Sequence, residues 1–462
     1  MYDNRKNSMK LKIKFVSLVV VLLLNTIGCV NNDLSDNMEN SENMNIITDD
    51  NNIEIPVGDK NAEATKGSAD NQKTEESNKH GKGSFQTEKQ STEEQVSISM
   101  LSEEQRNLII AFMDDYYETL ATLEVINPST YFVDPEGRNS VLNQVVWSFM
   151  VKLRGKQSID LLMDQYEYIL TLESVETEEE DVEITLTEDS IQTYKAYPNV
   201  TSEQYNTIHH FVLNNTDNGW RIESHRQRGT LYWNLLGDYH ERRDEEEDII
   251  IDEQEAIESI YTQMNVLLEK ADSNFMLRQE TIEKVELPEY DYEYNRTAAI
   301  EYANSWIDER NETWLDYSSY GGNCQNFASQ ILLAGGIPMD LKGSELWKWY
   351  STNLNDNTSS TGRTSSWTGV DNFLEYASEN RGYGLVSDTN APYYSGEIGD
   401  LIIMGYDENW RHTVVISEVI KDERGNTIDY LINSNTSDLR NFPVGAYIYT
   451  RQKLVKIYGW NE

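Results

Sequence analysis

Cysteine is nearly absent from this chain: two of 462 residues, Cys29 and Cys324. An exported domain stapled by disulfides carries more, at regular spacing, so a disulfide framework is excluded and each thiol needs its own explanation. Histidine is scarce too. There are six in all, and between Tyr294 and Glu462 the only one is His412. Catalytic zinc takes three protein ligands, commonly with more than one His or Cys, so no metal or other cofactor is expected there. H-E-x-x-H, G-x-S-x-G and the P-loop signature are all missing. Basic residues are outnumbered, 38 against 80 acidic, for a net charge of -42. Such a surface repels phosphate backbones and argues against nucleic acid as a partner. Apolar runs of 18 or more residues are lacking, so no membrane-spanning helix is expected.

What is present begins at the N-terminus. Arg5, Lys6, Lys10, Lys12 and Lys14 precede the apolar run Phe15 to Leu24, the layout of a secretory signal. The run ends in Thr26-Ile27-Gly28-Cys29, which resembles a bacterial lipobox, although the family prefers Leu where Thr26 stands. The resemblance implies lipidation of Cys29, a signal peptide over 1–29, and a membrane anchor facing the cell wall or extracellular side of a bacterium. Residues 30–100 are dominated by Asn, Asp, Glu, Ser, Lys and Gln. They cannot bury enough apolar surface to offset chain entropy, and they read as a disordered tether spanning roughly 45 Å.

Order is expected from Leu101. Leu108, Ile109, Phe112, Met113, Tyr116, Leu120 and Leu123 recur at helical spacing, and a second helix covers about Asn139 to Leu153. Strand-like runs follow at Tyr166–Glu176, Asp181–Tyr194, Gln204–Asn214 and Trp220–His225. Helices followed by a curved antiparallel sheet resemble the NTF2-like architecture, which makes 101–240 a small α+β domain. His209 and His210 are adjacent on a strand, where alternation sends one ring inward and the other outward. Residues 241–287 read as an acidic linker and a helix from about Glu253 to Leu277, leading to a last domain over 288–462.

That domain holds the most informative pattern. Gly321-Gly322-Asn323-Cys324 leads into a helical run stopped by Gly335-Gly336, placing Cys324 at a helix N-terminus. Unpaired N–H groups and the dipole there favour a thiolate and could hold an oxyanion, with Asn323 and Asn326 as further candidates beside it. His412 opens a strand, as a general base with a fixed position requires. A neighbouring strand, Tyr430–Asn435, offers groups to orient the imidazole. Asn433 and Asn435 share one face, and Asp438 is a third candidate. Trp347, Trp349, Trp367 and Trp410 are candidates for a sugar-binding cleft, against the commoner fate of such rings in a core.

The segments Tyr294-Asn295-Arg296-x-Ala298-Ala299-x-x-Tyr302-Ala303, Gly321 to Gly336, Ser366-Trp367-Thr368, Gly399-Asp400-Leu401-Ile402 and His412-x-x-Val415-Ile416 together resemble the bacterial amidase domain of the amidase_6 type. The resemblance implies an α+β, papain-like fold with an N-terminal helix and an antiparallel sheet, related to NlpC/P60 and CHAP enzymes. It also implies a cysteine amidase or peptidase cleaving an amide, in cell-wall peptide or a related substrate, with Cys324 as nucleophile and His412 as base. Asn435 falls where many members have His, and Asn323 and Gln325 replace the usual Asp and Thr. These departures motivate the alternative, a catalytically degenerate lipoprotein that binds wall or protein.

Overall fold

The computed structural model describes residues 80–86, 98–178, 181–228, 236, 252–279, 287–342, 346–353, 361–405 and 408–462. The expected signal peptide, Cys29, and most of the expected tether and acidic linker lie outside them. Among the described residues no helix is long and apolar enough to cross a membrane.

The class is α+β. The first unit runs β1 (Gly81–Phe85), α1 (Glu103–Thr122), α2 (Arg138–Gly155), β2 (Met163–Glu178), β3 (Asp181–Tyr194), β4 (Thr201–Thr216) and β5 (Gly219–Arg228). Ser102 starts α1 with a capping box: its hydroxyl accepts from Gln105 N–H while the Gln105 amide returns to the Ser102 N–H. The apolar stripe of α1 and that of α2 cover one face of the sheet, where Phe112 and Trp147 meet at 5.2 Å between ring centroids.

Two expectations need correction. Residues 81–85, assigned to the tether by composition, form β1, which lies parallel to β2. Gly81 and Gly83 make that approach feasible, since a Cβ on Gly81 would fall 1.9 Å from the Tyr166 carbonyl and one on Gly83 1.8 Å from the Tyr168 ring. A strand that docks through its missing side chains leaves no hydrophobic signal to read. The second correction concerns separateness. The units expected at 101–240 and 288–462 share one mostly antiparallel sheet, because β4 pairs with β11 (Asp438–Pro443).

After α3 (Glu253–Arg278), capped by Asp252, the second unit continues. It comprises β6 (Tyr292–Glu293), α4 (Arg296–Ser305), α5 (Cys324–Ala334), α6 (Ser365–Thr368), α7 (Val370–Glu379), β7 (Gly384–Asp388), β8 (Leu401–Gly405), β9 (Trp410–Lys421), β10 (Thr427–Asn435), β11 and β12 (Arg451–Asn461). The sheet order is β1-β2-β3-β4-β11-β10-β9-β8-β12-β6, with β5 on β4 and β7 on β12. Strands β8 to β10 are buried at successive positions because both of their faces are covered. Ile402, Met404, Val414 and Ile416 join α3 and the first unit in one core. Leu401, Ile403, Val415, Val455 and Ile457 form another core with α4, α5 and α7.

Candidate functional site

Helix α5 begins at Cys324 and ends before Gly335 and Gly336, the latter at φ +91°. Gly335 has a steric role as well: a Cβ there would fall 2.1 Å from the Tyr294 ring. Strand β9 packs against this helix, and one bond fixes their register, since Thr413 Oγ1 donates to Gln325 Oε1 at 2.7 Å. The residues that follow the cysteine and the histidine of this unit are thus joined side chain to side chain.

The turn between β10 and β11 ties the same two positions together from another side. Thr436 Oγ1 accepts the backbone N–H of Asn323 at 2.9 Å. The Thr436 carbonyl faces two hydroxyls, Ser434 Oγ at 3.1 Å and Tyr447 Oη at 3.4 Å. Both hydroxyls also approach His412 Nε2, Tyr447 at 2.8 Å and Ser434 at 3.3 Å. With their protons given to the Thr436 carbonyl, they present lone pairs to Nε2. In that tautomer Nε2 carries the ring proton and Nδ1 is the basic nitrogen, whereas a proton donated by Tyr447 to Nε2 reverses the two. The imidazole also stacks on Tyr447, with ring centroids 5.2 Å apart.

The expected orienting groups go elsewhere. Asn435 Oδ1 accepts from Asn323 Nδ2 at 3.4 Å. Asn433 donates to Asn304 Oδ1 and accepts from the Asn441 N–H. Asp438 pairs with Arg310 at 2.8 Å, and burial raises its carboxyl above the usual range. Strand register supplies the reason. Asn433 stands opposite Val415 and Met404 opposite His412, so Asn433 and Asn435 share the face of Thr413 while His412 shares the face of Ser434. Sequence parity grouped the two asparagines correctly but carried no information on that pairing. Tyr447 was not found because it reaches the ring from beyond β11, with no local pattern to mark it.

The asparagines beside the thiol are also engaged. Asn323 Oδ1 accepts from the Tyr317 N–H at 3.1 Å and from Asn326 Nδ2 at 2.8 Å. Asn326 Oδ1 accepts the Trp367 indole N–H at 2.9 Å. Their amides brace the loop into α5. Three of the four proposed cleft tryptophans are core instead. Trp347 and Trp367 are 0% exposed and stack 4.7 Å apart, and Trp349 is buried beside them. Trp410 is partly exposed, with the Arg451 guanidinium 4.0 Å over its ring. Cys324 itself is 2% exposed and His412 3%.

In the first unit His209 is buried and His210 partly exposed, following strand alternation. His209 Nε2 lies 2.7 Å from Glu188, and its Nδ1 lies 3.0 Å from His225 Nε2. His225 Nδ1 in turn meets Asn143 Oδ1 at 2.8 Å. Tyr117 closes the chain by donating to Glu188. Burial holds His225 well below the ordinary histidine range, so it stays neutral.

Residues 293–459 match the family model described as "Putative amidase domain". The match takes in Cys324, His412, Tyr447 and the turn that joins them, and it points to an amide hydrolase. A curated relative, "Uncharacterized protein YhbB" of Bacillus subtilis (strain 168), is 30% identical over 155 residues, 32% of this chain. The chain covers 43% of that protein's length. No solved structure matches the chain at a comparable level of significance.

Proposed function

We propose that residues 288–462 form a papain-like cysteine amidase or peptidase, held outside the cell by a lipid on Cys29 and acting on an amide of cell-wall peptide. The observation that carries this reading is the double tie between the thiol and imidazole positions. Gln325 bonds Thr413, and Thr436 holds both the Asn323 N–H and the hydroxyls around His412. On this reading Nδ1 of His412 takes the Cys324 proton, and the thiolate attacks the amide carbonyl carbon. The C–N bond breaks as the imidazolium returns the proton to the leaving amine. Water, deprotonated by His412, then hydrolyses the thioester. The N-terminal dipole of α5 stabilises the thiolate and the oxyanion. Tyr447 and Ser434 serve where papain-like enzymes use an asparagine or a second histidine.

A second reading draws on two observations. Both reactive side chains are almost wholly buried, and His412 lies on the face of β9 opposite Thr413, the residue that contacts α5. On this reading the unit binds wall or protein without turnover. Amine release from purified wall peptide separates the two. The hydrolase reading expects release by the wild-type protein and none by Cys324→Ala. Equal wall binding by both proteins, with no product from either, would replace it with the binding reading.

A further inference from the structure

The first unit does more than precede the second, because its strand β4 reaches the turn that supports Cys324 and His412. At the seam, Asp438 pairs with Tyr205, Leu439 with Gln204 and Arg440 with Glu203. Asn206 stands one residue beyond this ladder at φ +57°, a left-handed conformation that asparagine tolerates better than most residues. That conformation is fixed by the Asn206 N–H, which donates to Asp189 Oδ1 at 2.9 Å. The side-chain amide is thereby aimed into the second unit. Its Nδ2 donates to Asp438 Oδ2 at 2.9 Å and to the Asp308 carbonyl at 3.1 Å.

From Asp438 the contacts lead to the proposed reacting groups. Arg310 pairs with Asp438 Oδ1 at 2.8 Å and donates to the Asn435 carbonyl at 2.7 Å. Asn435 and Asp438 are the two ends of the turn that contains Thr436, and they face each other across the β10–β11 ladder. Thr436 then holds Asn323 on one side and the hydroxyls around His412 on the other. We infer that Asn206 is a positioning residue for the Cys324–His412 pair, and that residues 101–228 form an integral part of the catalytic scaffold. The inference rests on the hydrolase reading above and assigns the first unit its part in it.

Asn206→Gly is the clean perturbation. Glycine keeps the positive φ at no steric cost and removes the amide, with an added cost in backbone entropy. Ser202→Ala is the control for seam stability. It deletes the bond from Ser202 Oγ to the Asn441 carbonyl, 2.6 Å, in the same seam and away from the turn. The readout is the rate of Cys324 alkylation by iodoacetamide against pH, in a soluble form of the whole chain beginning after Cys29. Losing the bond that braces the turn should lower the rate at pH 7 about five- to tenfold in Asn206→Gly. Its apparent thiol pKa should move up toward that of a free thiol, while Ser202→Ala keeps the wild-type profile at a lower Tm. An Asn206→Gly profile that matches wild type, or a Ser202→Ala profile shifted equally, would overturn the positioning role and leave the hydrolase reading standing. A wild-type thiol with ordinary, His412-independent reactivity would overturn both.

Discussion

Replacing Asp429 with asparagine should stabilise the protein above neutral pH and do so less and less as pH falls. Asp429 lies on β10, buried, and its Oδ2 has no hydrogen-bond partner among the described residues. Burial pushes its carboxyl up to about 7, against partial compensation from the Tyr430 and Gly445 N–H groups and the Arg278 charge. Arg278 is itself committed, donating to the Thr450 carbonyl at 2.7 Å and lying 4.5 Å over the Phe275 ring. In the unfolded chain the carboxyl titrates near 4. The folded state therefore holds the proton more tightly, and the favourable contribution of the protonated group is fully present below about pH 4. It is lost as pH rises from there to about 7. At about 1.4 kcal/mol per pH unit, the whole loss is at most about 4 kcal/mol. Asparagine never ionises, so the stability gap between variant and parent should widen by about 2–3 kcal/mol between pH 5 and pH 8.5. Urea unfolding at those two pH values, read by tryptophan fluorescence, measures the gap. A gap that stays constant would refute the assignment of a buried, protonated Asp429, and one that narrows would reverse its sign.

Three further variants probe the site and its surroundings. Tyr447→Phe removes the hydroxyl nearest His412 Nε2, so amide turnover should fall about 5- to 30-fold, the equivalent of about 1–2 kcal/mol, with little change in KM. Asn435→Ala should cost turnover less, and the reverse ranking would return the orienting role to Asn435. Trp367→Ala should lower unfolding free energy by about 3–5 kcal/mol in urea, because the ring is fully buried between Trp314 and Trp347. Unchanged stability with weakened substrate binding would instead put that ring in a cleft.

Much of the fold was legible because periodicity is local. Strand β3 spans Asp181–Tyr194, as its alternating pattern indicated, and α5 ends at the glycine pair that marks it. The position of Cys324 at the head of a helix was readable for the same reason, from the Gly-Gly lead-in and the apolar run behind it. Pairings between distant segments were not readable. No local signal brings β4 beside β11, sends Tyr447 to His412, or turns Asn433 and Asn435 to the face of Thr413. The tryptophans show a different limit. Trp347 and Trp367 each carry a polar N–H that suits either a cleft or a core. Only the partners, Ser329 Oγ at 3.1 Å and Asn326 Oδ1 at 2.9 Å, decide for the core.

Whether Cys324 and His412 form an activated pair is read from the rate of Cys324 alkylation against pH. In a soluble form beginning after Cys29, Cys324 is the only thiol. An activated pair gives an apparent pKa well below the ordinary value of about 8.5, moving up when His412 is replaced by alanine. A slow reaction with an ordinary or raised pKa, the same with and without His412, would contradict it and leave Cys324 as a structural residue of a binding module.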